Sequence, residues 1–274
     1  MYMKRLFLFA VIVVAAATRA HAQTFDGVVK DAKTNRNLEF VNVGIVGKNE
    51  GTVTDASGHY SISLTNSDAD SLRISMVGYV PRSFLVADFR KEYNSYKTIA
   101  LQPALRQLNE VKVNNHKWKQ VVLGNTTQSQ STNAGFSSNK LGNEIGAIIK
   151  IKKSPTYLKQ FNASIASDVT DSVKLRLNFY TVKDGRPDQP LQKQSIFVTV
   201  HKGDKKITVD LEPYFIVVED KFFVSLEWIK NSRGHGIMFS ASLFSSAVIS
   251  RETSQAEWEK ESMAGVGFNV LAEY

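Results

Sequence analysis

Few side chains in this sequence could do chemistry, and their spacing limits what they could do. Zinc hydrolysis needs two histidines and a carboxylate converging on the metal, usually announced by a His-x-x-Glu pair. His59, His116, His201 and His235 are followed instead by Tyr-Ser-Ile, Lys-Trp-Lys, Lys-Gly-Asp and Gly-Ile-Met. The Gly-x-Ser-x-Gly elbow, the phosphate loop and the dinucleotide fingerprint are absent, and with no cysteine there is no thiol nucleophile. The reading is therefore no catalytic residue, no metal site and no cofactor. Asp210, Glu212, Glu219, Asp220 and Glu227 could supply the paired carboxylates of a glycosidase, but acids alternating with apolar residues read as the wet face of a strand. Asn66-Ser67-Asp68-Ala69-Asp70 spaces its oxygens as calcium loops do. It lacks the following glycine and the distal glutamate, and it reads as a polar hairpin tip.

Binding chemistry has more candidates. Lys150 and Lys152 fall on one face of an expected strand, and Trp118 stands between Lys117 and Lys119. Arg233-Gly234-His235 follows Trp228 as an expected loop beside an aromatic residue. Cations next to rings suit a phosphorylated lipid or an acidic glycan, and loops on rigid scaffolds commonly carry recognition. Trp228, Arg233, His235, Lys150, Lys152 and Trp118 are the candidate ligand rim.

The elements that must position these groups are strands. From Phe25 to about Pro103, short runs with period-two alternation are separated by turn residues roughly every ten positions, the pattern of a small antiparallel sandwich with no stretch that reads as a helix. Gly51-Thr-x-Thr-Asp55-x-x-Gly58-x-Tyr60 reads as a strand, a turn and a returning strand, with Asp55 bonding amides two residues on and Gly58 taking a positive φ. His59 is expected to point away from Asp55. Tyr60 and Tyr79 offer rings to the core, their hydroxyls reaching the rim. Gly51, Asp55, Gly58, Tyr60, Gly78 and Tyr79 are thus fold-specifying rather than catalytic.

Gly27, Val29 and Asp31, then Leu38, Phe40, Val41 and Val43, then Gly51 to Asp55 with Gly58 and Tyr60, and finally Leu72 to Ser75 with Gly78-Tyr79, carry a resemblance. Together they resemble the carboxypeptidase regulatory-like domain, of Bacteroidetes type. The resemblance implies a seven-stranded transthyretin-like, immunoglobulin-like sandwich of the kind attached to metallocarboxypeptidases and to TonB-dependent receptors. Leu108 to Val113 is similar to the segment leading into a receptor plug, but too few residues follow for a receptor barrel, and no peptidase signature follows either. The expected organisation is 23–103 for this domain, 104–143 for a polar linker or strap, and 144–274 for a second, jelly-roll-like antiparallel sandwich.

Strands in that second half are expected at Glu144–Lys152, Leu158–Ala166, Val173–Val182, Ser195–Val200, Lys206–Leu211, Phe222–Ile229, Gly236–Phe244 and Val266–Leu271. Val209 to Tyr214 and Phe222 to Trp228 look like segments of exported proteins that pair this domain with the regulatory-like one, a likeness that brings no activity. The final alternating run, ending on Tyr274, also resembles the last strand of an outer-membrane barrel, but the strands lack paired aromatic girdles.

The first 22 residues read as a cleaved export signal: Lys4 and Arg5, an apolar run of 12 residues from Leu6 to Ala17, and Ala20-His21-Ala22 before Gln23. That run reaches only about 18 Å at ~1.5 Å per residue, too short to span a membrane. Without a cysteine, lipoprotein anchoring is excluded, and no transmembrane helix is expected after cleavage. Removing Lys4, Arg5 and Arg19 leaves 31 bases against 26 acids, a charge of +5. An exported chain rarely meets nucleic acid, so the surplus suits anionic lipid headgroups or acidic polysaccharide better, and a mild surplus of this kind most often marks only a solvated surface. The functional expectation is a non-catalytic binding or scaffolding protein of the periplasm or outer membrane that recognises a protein or glycan through loops and edges. The alternatives are a carboxypeptidase-type or other hydrolase and a small outer-membrane barrel.

Overall fold

The computed structural model describes residues 23–65, 68–104, 118–136, 138–167, 169, 171–230, 236–261 and 263–274. The export signal, the segment 108–113, and Arg233 and His235 lie outside the described residues.

The first sandwich contains β1 (Gln23–Asp31), β2 (Asn42–Ile45), β3 (Gly51–Val53), β4 (His59–Leu64), β5 (Ser71–Ser75), β6 (Arg82–Leu85) and β7 (Thr98–Leu101). A three-stranded sheet in the order β4-β1-β7 faces a four-stranded sheet in the order β3-β2-β5-β6. Alternation explains which residues lie between them. Phe25 and Val29 of β1, Val43 and Ile45 of β2, Ile62 of β4 and Leu72 and Ile74 of β5 are buried together. One expectation is corrected: α1 (Val86–Lys91) and α2 (Tyr93–Tyr96) are helical. Their residues at a spacing of three, Val86 with Phe89 and Tyr93 with Tyr96, turn one side toward the core, where Phe89 stacks on Tyr96 at 5.7 Å. A helical period only two turns long is hidden among alternating strands.

The second half contributes β8 (Gln120–Gly124), β9 (Asn133–Gly135), β10 (Glu144–Ile149), β11 (Thr156–Ser164), β12 (Val173–Lys183), β13 (Arg186–Pro190), β14 (Ile196–Val200) and β15 (Lys206–Asp210). After these come β16 (Val217–Val218), β17 (Phe222–Trp228), β18 (Met238–Leu243), β19 (Val248–Arg251), β20 (Glu259–Glu261), β21 (Ala264–Val266) and β22 (Phe268–Glu273). One sheet runs β13-β12-β17-β10-β19-β20 with β14 added on β12, and it faces a sheet β15-β11-β22-β8. The polar stretch read as a linker or strap is woven in: β8 pairs with β22, and β9 pairs with β18. The terminal strand lies between β11 and β8 in an open sheet, with Phe268, Val270 and Ala272 turned to the core.

The two halves stack. Val43, Ile45, Leu72 and Ile74 face the first core, so the other face of the β3-β2-β5-β6 sheet carries Asn42, Gly44, Gly51, Val53, Arg73 and Ser75. That face lies against the β12-β17-β10 sheet. A Cβ at Gly44 would sit 2.2 Å from the Ser254 carbonyl oxygen and one at Gly51 2.4 Å from the same atom, so only glycine lets the backbones approach.

Candidate functional site

The β12-β17 pair has two faces of opposite character. Antiparallel register puts Leu175 opposite Trp228, Leu177 opposite Leu226 and Phe179 opposite Val224, all within the second core. One residue along, Arg176 lies opposite Glu227, Asn178 opposite Ser225 and Tyr180 opposite Phe223. Period two sends these to the other side, toward the first sandwich. Glu227, expected on a wet strand face, is instead completely buried, because the first sandwich covers that face.

Here the buried charges are paired. Arg176 Nε donates to Glu227 Oε2 at 2.9 Å, and its Nη2 lies 2.8 Å from the same oxygen. Its remaining donors cross to the first sandwich, Nη1 to the Phe40 carbonyl at 2.6 Å and Nη2 to Asn42 Oδ1 at 2.5 Å. Phe40 has a left-handed backbone with φ 57°, which a phenylalanine adopts only when its surroundings hold it there. Its ring meets Phe197 edge-on at 5.3 Å with the Lys174 ammonium 4.7 Å above it, while its carbonyl accepts from Arg176.

Glu144 Oε1 accepts from Asn178 Nδ2 at 2.9 Å, the Tyr180 hydroxyl at 3.1 Å and the Ser225 hydroxyl at 2.5 Å, and Oε2 accepts from Arg251 Nη2 at 2.6 Å. Burial, with the Glu144 carboxylate adding to it, pushes the Tyr180 phenol far above its ordinary pKa, so it stays a donor. Burial opposes the charge of Arg251, but Glu144 beside it more than offsets this and holds the guanidinium protonated. Two acids and two arginines thus form a neutral network with few unmet valences, the condition under which buried charge is tolerated.

Beside this network the two sandwiches enclose a polar cleft of about 370 Å³. Arg73, Ser75, Arg251, Gln255 and Trp258 are among its walls, with Asp188 and Gln189 of β13 at its mouth. Gln255 Nε2 donates to the Ser75 hydroxyl at 3.0 Å, joining the sandwiches across the cleft floor. The Arg251 guanidinium lies 4.6 Å over the Trp258 ring.

The residues singled out in the sequence fall elsewhere. Trp228 is wholly buried, edge-on to Phe136 at 5.2 Å, and forms no rim, because the register turns it to the apolar side of β17. Lys150 and Lys152 are exposed, but β10 ends at Ile149, so they lie on the bend before β11 rather than on one strand face. Trp118 is exposed, two residues before β8, edge-on to Tyr157 at 4.7 Å. The acids of the polar hairpin tip meet side-chain cations, Asp68 with Arg90 at 2.8 Å and Asp70 with Lys48 at 2.6 Å. Asp210 caps the Glu212 amide and Glu212 pairs with Lys159.

Of the turn residues, Gly58 has the expected positive φ, at 79°, Gly78 also has a positive φ, at 86°, and Gly51 serves the contact with Ser254. The Tyr79 hydroxyl donates to Asp31 Oδ2 at 2.8 Å. The Tyr60 ring covers Gly27, and its hydroxyl is buried without a partner. His59 does not point away from Asp55: its Nδ1 is 2.9 Å from the Ser57 hydroxyl, which donates to Asp55 Oδ1 at 2.7 Å. This is not a catalytic triad. There the imidazole stands between acid and nucleophile, whereas here the serine stands between acid and imidazole and gives its only proton to the acid. Asp55 also accepts from the Ser57 and His59 amides and is held below its usual pKa, chiefly by the Ser57 hydroxyl, so the group closes a turn.

Residues 25–113 match the family model described as CarboxypepD_reg-like domain, and the first sandwich is a carboxypeptidase regulatory-like domain. No curated protein matches the chain. Among solved structures, the chain is similar to the cysteine protease and lectin-like domains of Cwp84, a surface layer associated protein of Clostridium difficile, at 8% identity and a TM-score of 0.42. That likeness covers 86% of this chain and 58% of the other, so the chain spans less than two thirds of that protein's length. Among the described residues, no helix is long and apolar enough to cross a membrane.

Proposed function

We propose that this is an exported binding protein of the cell envelope, in which the regulatory-like domain is a rigid adaptor and the cleft between the sandwiches receives the ligand. The observation that carries the reading is the Arg176 side chain, which spends its donors on Glu227, Phe40 and Asn42 and so fixes two separate cores in one orientation. A cleft walled by both sandwiches is only as well formed as that junction. Rigid walls favour binding because little ordering entropy is lost when a ligand enters.

Crosslinking tests this directly. A photoreactive group placed at Gln189, beside the cleft, should capture an envelope protein or glycan from fractionated cells, and one placed at the exposed Lys206, on β15 of the opposite sheet, should not. Capture of nothing, together with turnover of a peptide or sugar by the purified protein, would overturn the proposal.

A further inference from the structure

We infer that the cleft takes an acidic saccharide, its carboxylate met by Arg73 and Arg251 and its hydroxyls by the surrounding amide and hydroxyl side chains. The inference rests on the proposed binding role and adds the ligand class. It starts from valences the fold leaves open. Arg176 is consumed by the junction, but Arg73 Nε and Arg251 Nε are buried without hydrogen-bond partners, and both residues line the cleft. A buried guanidinium donor lacking an acceptor is costly, and a ligand carboxylate supplies that acceptor in planar, charge-assisted geometry.

The charges around the cleft agree. Glu227 and Glu144 are each engaged by an arginine, at 2.8 and 2.6 Å. The one acid among the described lining residues, Asp188, is exposed at the mouth and accepts from Gln189 Nε2 at 3.2 Å. Among the described residues Arg73 forms no ion pair with Asp188 or any other carboxylate, so its charge is open to a ligand.

A saccharide fits better than an acidic peptide because of the remaining walls. Asn42 has given Oδ1 to Arg176, leaving its Nδ2 as a donor, and Gln255 has used Nε2 on Ser75, leaving its Oε1 as an acceptor. The Ser75 hydroxyl, accepting from Gln255, keeps its own proton to donate. A sugar hydroxyl both donates and accepts, and it needs such mixed neighbours, whereas an aliphatic side chain would leave them unmatched. The volume of about 370 Å³ lies within the range of small-ligand sites, ~300–1,000 Å³.

The test is calorimetric titration of the intact protein with D-glucuronate, D-glucose and a short polyglutamate peptide, repeated on Arg73→Met and Arg73→Lys. Glucuronate should bind more tightly than glucose, with affinity reduced at least about tenfold in Arg73→Met and less in Arg73→Lys. Equal binding of both sugars, binding of the peptide alone, or an Arg73→Met variant that binds glucuronate as the wild type does would overturn the inference. The crosslinker at Gln189 separates the two failures. If Arg73→Met still captures the same partner, the cleft binds but not through an acidic sugar; if the wild type captures nothing, the binding role itself fails.

Discussion

The two faces of the β12-β17 pair are equally buried yet solve burial in different ways. On one, Leu175, Leu177, Leu226 and Trp228 lose water through contact alone, which is non-directional and tolerant of rearrangement. On the other, Arg176, Asn178, Ser225 and Glu227 lose it only because each side chain finds a partner in one geometry, although Glu227 Oε1 itself is left without a hydrogen bond. The lesson is that this sheet is an apolar core wall on one side and a keyed surface on the other. The apolar side makes the second sandwich fold, and the polar side decides how the first sandwich sits on it.

The sharpest way to break that contrast is to delete one charge. Glu227→Leu leaves Arg176 buried without its carboxylate and should cost about 3–5 kcal/mol in urea unfolding. The double variant Arg176→Met with Glu227→Leu should recover much of that loss. On the apolar face, Leu177→Ala should cost about 2–5 kcal/mol, and no second truncation of a contacting residue should restore it. If the double variant were no more stable than Glu227→Leu, the polar face would not be a coupled unit.

A smaller effect should come from the junction backbone. Gly44→Ala pushes a methyl into the Ser254 carbonyl and should destabilise the docked state by roughly 1–3 kcal/mol. The expected sign is a larger radius of gyration in solution scattering, with each core still folded. An unchanged radius would mean that the two sandwiches do not depend on this contact.

The smallest effect lies within the first sandwich, at the hydrogen bond between Tyr79 and Asp31. Burial, then the hydrogen bond to Asp31, pushes the Tyr79 phenol up to about 12. A phenol titrates near ~10 when unfolded, so this contribution is fully present below that pH and is lost as pH rises toward 12. Urea midpoints compared at about pH 9 and about pH 11 should fall less in Tyr79→Phe than in the wild type, while the Arg176 junction is unaffected.

Much of the architecture was legible because alternation reports directly on a sheet's inner face. Each of the eight strands expected in the second half has a counterpart, from β10 to β22, with ends displaced by a few residues. Gly58 announced its positive φ by its place in the turn. The short strand β13 and the late strands β19, β20 and β21 were not legible, since a run such as Glu259-Lys260-Glu261 carries no apolar signal.

The candidate site was hardly legible at all. Alternation gives Glu227 and Arg176 a face, but it does not say whether water or another sheet covers that face. Trp228 misled for the same reason: an aromatic before a loop suggests a rim, and only register shows that it points inward. The one available signal was Gly44 in the middle of a strand, where a missing side chain often marks the approach of another backbone.

Gly44 and Gly51 strip part of the first sandwich's docking face down to bare main chain. A surface without side chains is read by shape rather than by charge, so it accepts only a mate whose backbone protrudes as the one at Ser254 does. A sister module with an identical core but a bulkier residue at either position could not be exchanged into this chain. Mix-and-match recombination of such modules is therefore limited by two hydrogen atoms where methyl groups would otherwise stand.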